Sequence, residues 1–134
     1  MKKFIITTCA ILMVSSAANA CSGILIKGNS GASYCLSKHI MNWYSAYAWC
    51  DAQRMKLIDL DSVCGQNFGM CSELNVSQSE KDKITDNGGE LTSVWTNNSY
   101  DGQKAWSVSL NNGAIHLFNA SGGRSYQFIY SLCK

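Results

Sequence analysis

Seven cysteines, two histidines and a pair of aspartates two residues apart are the side chains of this 134-residue chain whose types could carry chemistry. Six of the cysteines, Cys21, Cys35, Cys50, Cys64, Cys71 and Cys133, are open to metal ligation, to catalysis or to disulfide bonding. Zinc is disfavoured, because no C-x-x-C pair occurs and His39 and His116 lie far apart with no second ligand at metal spacing. Asp59 and Asp61 project to one side of an extended segment. They read as solvated turn carboxylates more readily than as a general acid and base, since nothing else in the sequence builds a cleft around them. No G-x-S-x-G or equivalent frames a serine with either histidine. The expectation is a protein that is not an enzyme and uses no cofactor.

Disulfides become the default once the first twenty residues are considered. Lys2 and Lys3 give a positive start, and Phe4 to Val14 an apolar run too short to cross a bilayer as a helix. Ala18-Asn19-Ala20 then has the A-x-A form of a signal-peptidase site. Residues 1–20 are expected to be a cleavable signal peptide and 21–134 one exported domain, secreted, periplasmic or at the cell surface. A transmembrane anchor is a weaker alternative, given the short run. Lipid attachment at Cys21 is another, weakened by Ala18 where a lipoprotein box carries a branched apolar residue. Removing the leader takes away Cys9 and two lysines, leaving equal numbers of basic and acidic side chains. A balanced chain without a basic stripe has no electrostatic footprint for nucleic acid or an anionic membrane, so neither is an expected partner. The even six cysteines that remain read as a disulfide framework, whose connectivity spacing alone leaves open.

Periodicity supplies the elements that would position these residues. Ile24 to Lys27 reads as a short strand, Gly28-Asn29-Ser30-Gly31 as a turn, and the segment around Tyr34 as the return. From Asn42, able to cap a first turn, Trp43, Ala46, Tyr47 and Cys50 fall at i, i+3, i+4 and i+7. This predicts a helix whose apolar stripe packs in the core. Leu57, Ile58 and Leu60 form a short apolar segment before a compact loop from Cys64 to Cys71, marked by Gly65 and Gly69. Ser77-Gln78-Ser79-Glu80 fits a capping box, so a second short helix is expected from Glu80 toward Thr85, ending at Asn87-Gly88-Gly89. The period then changes to two, which predicts strands over Val94 to Thr96, Ala105 to Leu110, Ala114 to Phe118 and Tyr126 to Cys133, with Asn112-Gly113 as a hairpin turn. Trp106, Val108 and Leu110 alternate with Ser107 and Ser109, which implies a half-buried sheet with the helices on its inner side. There is no proline and no internal repeat. The expected class is α+β, with two short helices packed on small antiparallel sheets, a long loop region and disulfide staples.

This order, with Trp43, Ala46, Cys50, Leu57 and Leu60 in the first half and Tyr130-Ser131-Leu132-Cys133 at the end, resembles the C-type-lectin fold. The second half, from Val94-Trp95-Thr96 through Tyr100, Ala105-Trp106, Val108, Leu110 and Asn112-Gly113 to the last strand, is similar in rhythm to bacterial C-type-lectin-like domains. That group includes diversity-generating retroelement proteins and formylglycine-generating-enzyme-like domains. The resemblance implies that Cys50 bonds Cys133 and that Cys21 bonds Cys35, with Cys64 and Cys71 the pair that remains. Tying residue 50 to residue 133 would stabilise by about 4 kcal/mol on chain entropy, and the Cys64–Cys71 loop by about 2 kcal/mol. In animal lectins of this fold, calcium held by E-P-N or Q-P-D and by W-N-D grips the sugar. Without proline the first motif is impossible here, and Trp106-Ser107-Val108 is not W-N-D. Trp95-Thr96-Asn97-Asn98 offers amides without a carboxylate, whereas a hard cation wants several charged or carbonyl oxygens. Calcium-dependent sugar binding is therefore not expected, and a structural calcium on Asp59, Asp61, Asp101 and loop carbonyls is the weaker alternative. The formylglycine-generating relatives work through a cysteine pair in a much longer chain.

Loop composition points to recognition. Trp95 to Lys104 is rich in Asn, Tyr and Gly, and Asn119 to Tyr126 adds Ser, Gly and Arg124. Such segments combine rigid amphipathic rings with adaptable polar groups. Trp95 and Trp106 lie in apolar strand runs and read as core. The expected ligand contacts are Asn97, Asn98, Tyr100, Asp101, Lys104, Asn119 and Arg124, in the area that the resemblance implies for the ligand face. The chain is thus expected to be an exported, non-catalytic recognition domain for a protein or glycan. A structural subunit of an extracellular or envelope assembly such as a pilus is the alternative, and an enzyme of unfamiliar type a weaker one. Exposed Tyr100 and Arg124 around a concave polar patch would favour recognition, and a broad flat apolar patch would favour assembly.

Overall fold

Six segments whose side chains alternate between two faces build the sheet. In the computed structural model, which describes residues 21–65, 69–121 and 129–134, they are β1 (Ile24–Lys27), β2 (Ser33–Ile40), β3 (Ser93–Tyr100), β4 (Lys104–Ser109), β5 (Ile115–Asn119) and β6 (Ile129–Cys133). Their order is β1-β2-β6-β3-β4-β5, with every neighbouring pair antiparallel except β3 and β6, which run parallel. The expected small antiparallel sheets are thus one six-stranded mixed sheet, because the last strand inserts between β2 and β3. A period of two fixes which face a residue takes, and not which strand lies beside it. The signal-peptide expectation for residues 1–20, the middle of the Cys64 to Cys71 loop and the first part of the strand expected from Tyr126 lie outside the described residues.

Both faces of the sheet are covered. Tyr34, Leu36, Val94, Val108, Tyr130 and Leu132 enter one core with Ile58, Leu60, Leu74 and Ile84. The alternating Cys35, Trp95, Ala105, Ile129 and Cys133 enter a second with Ala46, Cys50 and Leu57. Central β6 is buried at all five positions. This corrects the half-buried expectation at Ser107, which is buried and whose hydroxyl donates to the His116 carbonyl at 3.4 Å. Ser131 is handled the same way: its hydroxyl donates to the Ala46 carbonyl at 3.1 Å and its N–H to Ser37 Oγ at 2.9 Å. Buried polar groups without such partners would cost stability.

Among the described residues there are three helices rather than two, and they lie on opposite faces. Helix α1 (Trp43–Ala52) closes the second core, while α2 (Leu60–Cys64), a 3-10 turn at Ser72–Leu74 and α3 (Gln78–Asp86) close the first. Asn42 caps α1 as expected, its side chain accepting from Ser45 N at 2.8 Å. Asp59 caps the unanticipated α2, accepting from Ser62 N at 2.9 Å. Ser77 caps α3 by accepting from Glu80 N at 3.4 Å, but the reciprocal half of the box is replaced. Glu80 Oε1 instead accepts from Lys27 N at 2.7 Å, occupying a donor of edge strand β1, and pairs with Lys83 at 3.1 Å.

Three disulfides, Cys21–Cys35, Cys50–Cys133 and Cys64–Cys71, tie the hairpin, join α1 to β6 and close the short loop. The β4–β5 connection is longer than the expected two-residue turn. Ser109 N donates to the Ala114 carbonyl at 2.8 Å, and the intervening Leu110 is drawn into the core. Gly113 has φ 77, and a Cβ there would stand 2.5 Å from the Cys71 carbonyl oxygen. Gly113→Ala is expected to cost more than about 1 kcal/mol from the left-handed backbone alone, seen as a lower urea midpoint at unchanged m-value.

Candidate functional site

Helix α1 carries Trp43, Tyr44, Tyr47 and Trp49 within ten residues. At about 3.6 residues per turn, one stripe cannot bury them all. Ala46 and Cys50 face the core and Trp43 and Trp49 pack at its margin, leaving Tyr44 55% and Tyr47 44% exposed. Tyr47, expected in the core stripe, is therefore a surface residue. Trp43 Nε1 donates to the Thr96 carbonyl at 2.7 Å, which fastens its ring to β3. Tyr44 and Tyr47 stand edge-on to that ring with centroids at 5.3 and 5.1 Å. The three form an aromatic ridge anchored to the sheet.

Grooves flank the ridge. Beyond Trp95 the register between β3 and β4 slips, and β3 diverges from β6. Residues 56–58 take the vacated side of β6: Lys56 and Lys134 exchange backbone hydrogen bonds, and Ile58 N donates to the Leu132 carbonyl at 3.1 Å. Asn97 N in turn donates to the Ile58 carbonyl at 2.7 Å, which places Asn97 in the wall of a groove of about 310 Å³ with Tyr47, Asp51, Met55, Lys56 and Leu57. An adjoining groove of about 220 Å³ shares Asn97, Lys56 and Leu57 and continues to Ser62 and Lys134. Tyr44 lines another groove of about 220 Å³ with Gly102, Gln103, Asn119 and Ser121. Bulges recur where a strand must re-aim a side chain, and Asn97 sits at one.

The expected ligand residues divide accordingly. Asn97 and Asn119 belong to different grooves. Asn98 has a structural task, its side-chain oxygen accepting from Leu60 N at 2.8 Å at the start of α2. Asp101 and Gly102, with φ 49 and 77, make the β3–β4 turn, and Asp101 Oδ1 accepts from Gln103 N at 3.3 Å. Tyr100, Lys104 and Asn119 pair across β3, β4 and β5 and form an exposed row. Tyr100 is edge-on to the half-buried Trp106 at 6.3 Å. Asn119 Oδ1 accepts from Ser121 N and Oγ at 3.0 and 2.7 Å. Arg124 lies outside the described residues. Trp95 is core, 1% exposed, with Nε1 donating to the Met41 carbonyl at 2.8 Å. Of the groove residues, Gln103 and Ser121 fall in the two loops where ligand contacts are expected, whereas Tyr44, Tyr47, Asp51, Met55, Lys56 and Leu57, on α1 and the segment after it, are missed by sequence reasoning. The one available signal among these was Tyr44, which lies off the apolar stripe of α1.

His39 and His116 are exposed on separate strands, β2 and β5. Among the described residues no group of three His, Cys, Asp or Glu stands together, and no helix is long and apolar enough to cross a membrane. Glu73, in the 3-10 turn, clamps the β1–β2 turn by accepting from Ser30 N at 2.7 Å, Ser30 Oγ at 2.6 Å and Tyr34 Oη at 2.8 Å. Burial, then the hydrogen bond and charge of Glu73, push the Tyr34 phenol up, so it remains the donor. Burial pushes the Glu73 carboxyl up, but the bonds from Ser30 and Tyr34 and the charge of Lys134 outweigh it and leave it below its ordinary 4.5. A lowered carboxylate stabilises above its unfolded value and loses that contribution as pH falls through its folded value. The thermal midpoint is thus expected to fall as pH drops below about 4.5, with Glu80, also lowered, contributing in the same sense. Glu73→Gln should lower the midpoint at pH 7 and flatten the acid limb in a scan from pH 7 to 3.

Compared with known proteins, the chain matches no family model and no curated sequence.

Proposed function

We propose that the protein is a non-catalytic recognition domain acting outside the cytoplasm, which binds a protein or glycan ligand without a calcium site. The observation that carries this reading is the ridge of Tyr44, Trp43 and Tyr47 with Asn97 and Asn119 in grooves beside it. Rigid rings next to uncharged amides are what a surface needs to hold an amphipathic ligand in one orientation. Among the described residues, the large exposed apolar side chains, Leu25, Ile40, Tyr44, Tyr47, Met70 and Tyr100, are spread over β1, β2, α1, the segment before the 3-10 turn, and β3. That spread favours recognition over a fixed assembly contact, which would call for one broad apolar face. A bacterial C-type-lectin-like assignment belongs to the same proposal. It is supported by the α+β architecture and by the three disulfide pairs, with the helix cysteine bonded to the last strand.

The test is a glycan array together with a pull-down from envelope extract, each run with and without chelator. Binding that survives chelator is expected. Binding lost with chelator and restored by calcium would contradict the calcium-free reading, and silence in both formats would contradict recognition.

A further inference from the structure

We infer that the two disulfides of the second core form a redox relay, in which reduction of Cys21–Cys35 lets Cys35 displace Cys50 from Cys133 and so releases α1 from the sheet. The relay stands apart from the recognition reading, and only its effect on binding depends on that reading. Cys35 and Cys133 are directly opposed on β2 and β6, and both enter the same core with Cys50 and Cys21. Opposed residues of an antiparallel pair stand about 4.5–5.5 Å apart at Cα, inside the roughly 4.4–6.8 Å that a disulfide spans. A bond between Cys35 and Cys133 therefore fits the existing strand spacing. Cys64–Cys71 takes no part, because it lies in the first core on the other side of the sheet.

Access fixes the order of the steps. Cys35, Cys50 and Cys133 are fully buried whereas Cys21 is half-buried, so a dithiol reductant reaches the pair at Cys21. Its thiolate attacks Cys21 Sγ, the Cys21–Cys35 bond breaks, and the electron pair leaves on Cys35. The second thiol of the reductant resolves the mixed disulfide, leaving Cys21 as a thiol and the reductant as a cyclic disulfide. The Cys35 thiolate next attacks Cys133 Sγ. The Cys35–Cys133 bond forms, the Cys50–Cys133 bond breaks, and Cys50 leaves as a thiolate. One dithiol is oxidised and one protein disulfide reduced, and the two protons of the reductant end on Cys21 and Cys50. The leaving sulfur has a donor at hand: Ser131 Oγ stands 3.2 Å from Cys50 Sγ, and the proton it now gives to the Ala46 carbonyl can turn to the thiolate. Attack by a neighbour already held in place needs no encounter, which favours it over further reduction from solvent. Cys50 lies in the last turn of α1, so its release loosens the part of the helix where Tyr47 and Asp51 line a groove.

The experiment is a time course of limited reduction of the full-length exported protein with dithiothreitol, each sample quenched in acid, alkylated in denaturant and mapped as peptides without further reduction. The expected product carries label on Cys21 and Cys50 and a Cys35–Cys133 peptide pair. Label on Cys21 and Cys35 with Cys50–Cys133 intact throughout would overturn the relay, as would label on Cys50 and Cys133 together. Cys21→Ser leaves Cys35 without its partner and should form Cys35–Cys133 with no reductant added; a variant that keeps Cys50–Cys133 alone would count against the exchange. Ser131→Ala should leave the reduction of Cys21–Cys35 at its normal rate and slow the exchange about tenfold, the worth of one hydrogen bond to a charged group, so that label passes first through Cys35. Exchange as fast as in the unaltered protein would overturn the part given to Ser131.

Discussion

Replacing Cys50 and Cys133 together by alanine is expected to lower the free energy of unfolding by about 4 kcal/mol, the largest effect of any of the three disulfide removals. The bond spans 83 residues of sequence, against 14 for Cys21–Cys35 and 7 for Cys64–Cys71. The entropy it removes from the unfolded chain grows with that span. It also joins the buried face of α1 to the centre of the sheet, where Cys133 pairs with Cys35 of β2 on one side and Leu57 on the other. Small domains hold on the order of 5–15 kcal/mol, so the double variant should sit near the edge of stability. Equilibrium urea unfolding measures this. A loss no greater than that from removing Cys64–Cys71, about 2 kcal/mol, would contradict the role given to the long-range bond.

Trp95→Ala is expected to cost about 3–5 kcal/mol, the range for deleting a buried aromatic. The residue fills the second core between α1 and β3 and leaves the Met41 carbonyl without its indole donor when removed. Because Trp95 and the Cys50–Cys133 bond share one cluster, combining the variants should give less or more than the sum, the signature of coupled sites. The same urea series reads both effects. A loss under about 1 kcal/mol for Trp95→Ala would mean that the second core collapses around the gap at little expense.

How far the fold was legible depended on the length of each pattern. The cap at Asn42 and the inward turn of Ala46 and Cys50 could be read because ten residues give nearly three helical turns. Helix α2 has only five residues, too few for a period. What stabilises it comes from the Asp59 cap and from Asn98, a residue 38 positions from Leu60 in sequence. Strand positions were legible and strand order was not, since alternation carries no information about neighbours. The sheet is covered on both sides because α1 packs on one face and α2, the 3-10 turn and α3 on the other, a division that alternation along a strand does not reveal. At the site, Asn97 and Asn98 are identical in type and adjacent in sequence. Only the folded surroundings show that one lines a groove while the other holds the start of α2. Tyr47 was misread because helical spacing places it beside Cys50 and Ala46, yet a helix docked through residues as small as these leaves a long side chain one position around its circumference in solvent.

The central claim, that α1 and the grooves beside it form a binding surface without catalysis, is tested most directly by amide NMR. The labelled domain would be titrated with whichever ligand the array or pull-down returns, and the ligand recovered and analysed afterwards. The predicted result is a set of shifts confined to Tyr44, Tyr47, Asp51, Asn97, Gln103 and Asn119 and their neighbours, with the ligand recovered intact. Shifts centred instead on the β1–β2 hairpin, or a chemically altered ligand, would contradict it.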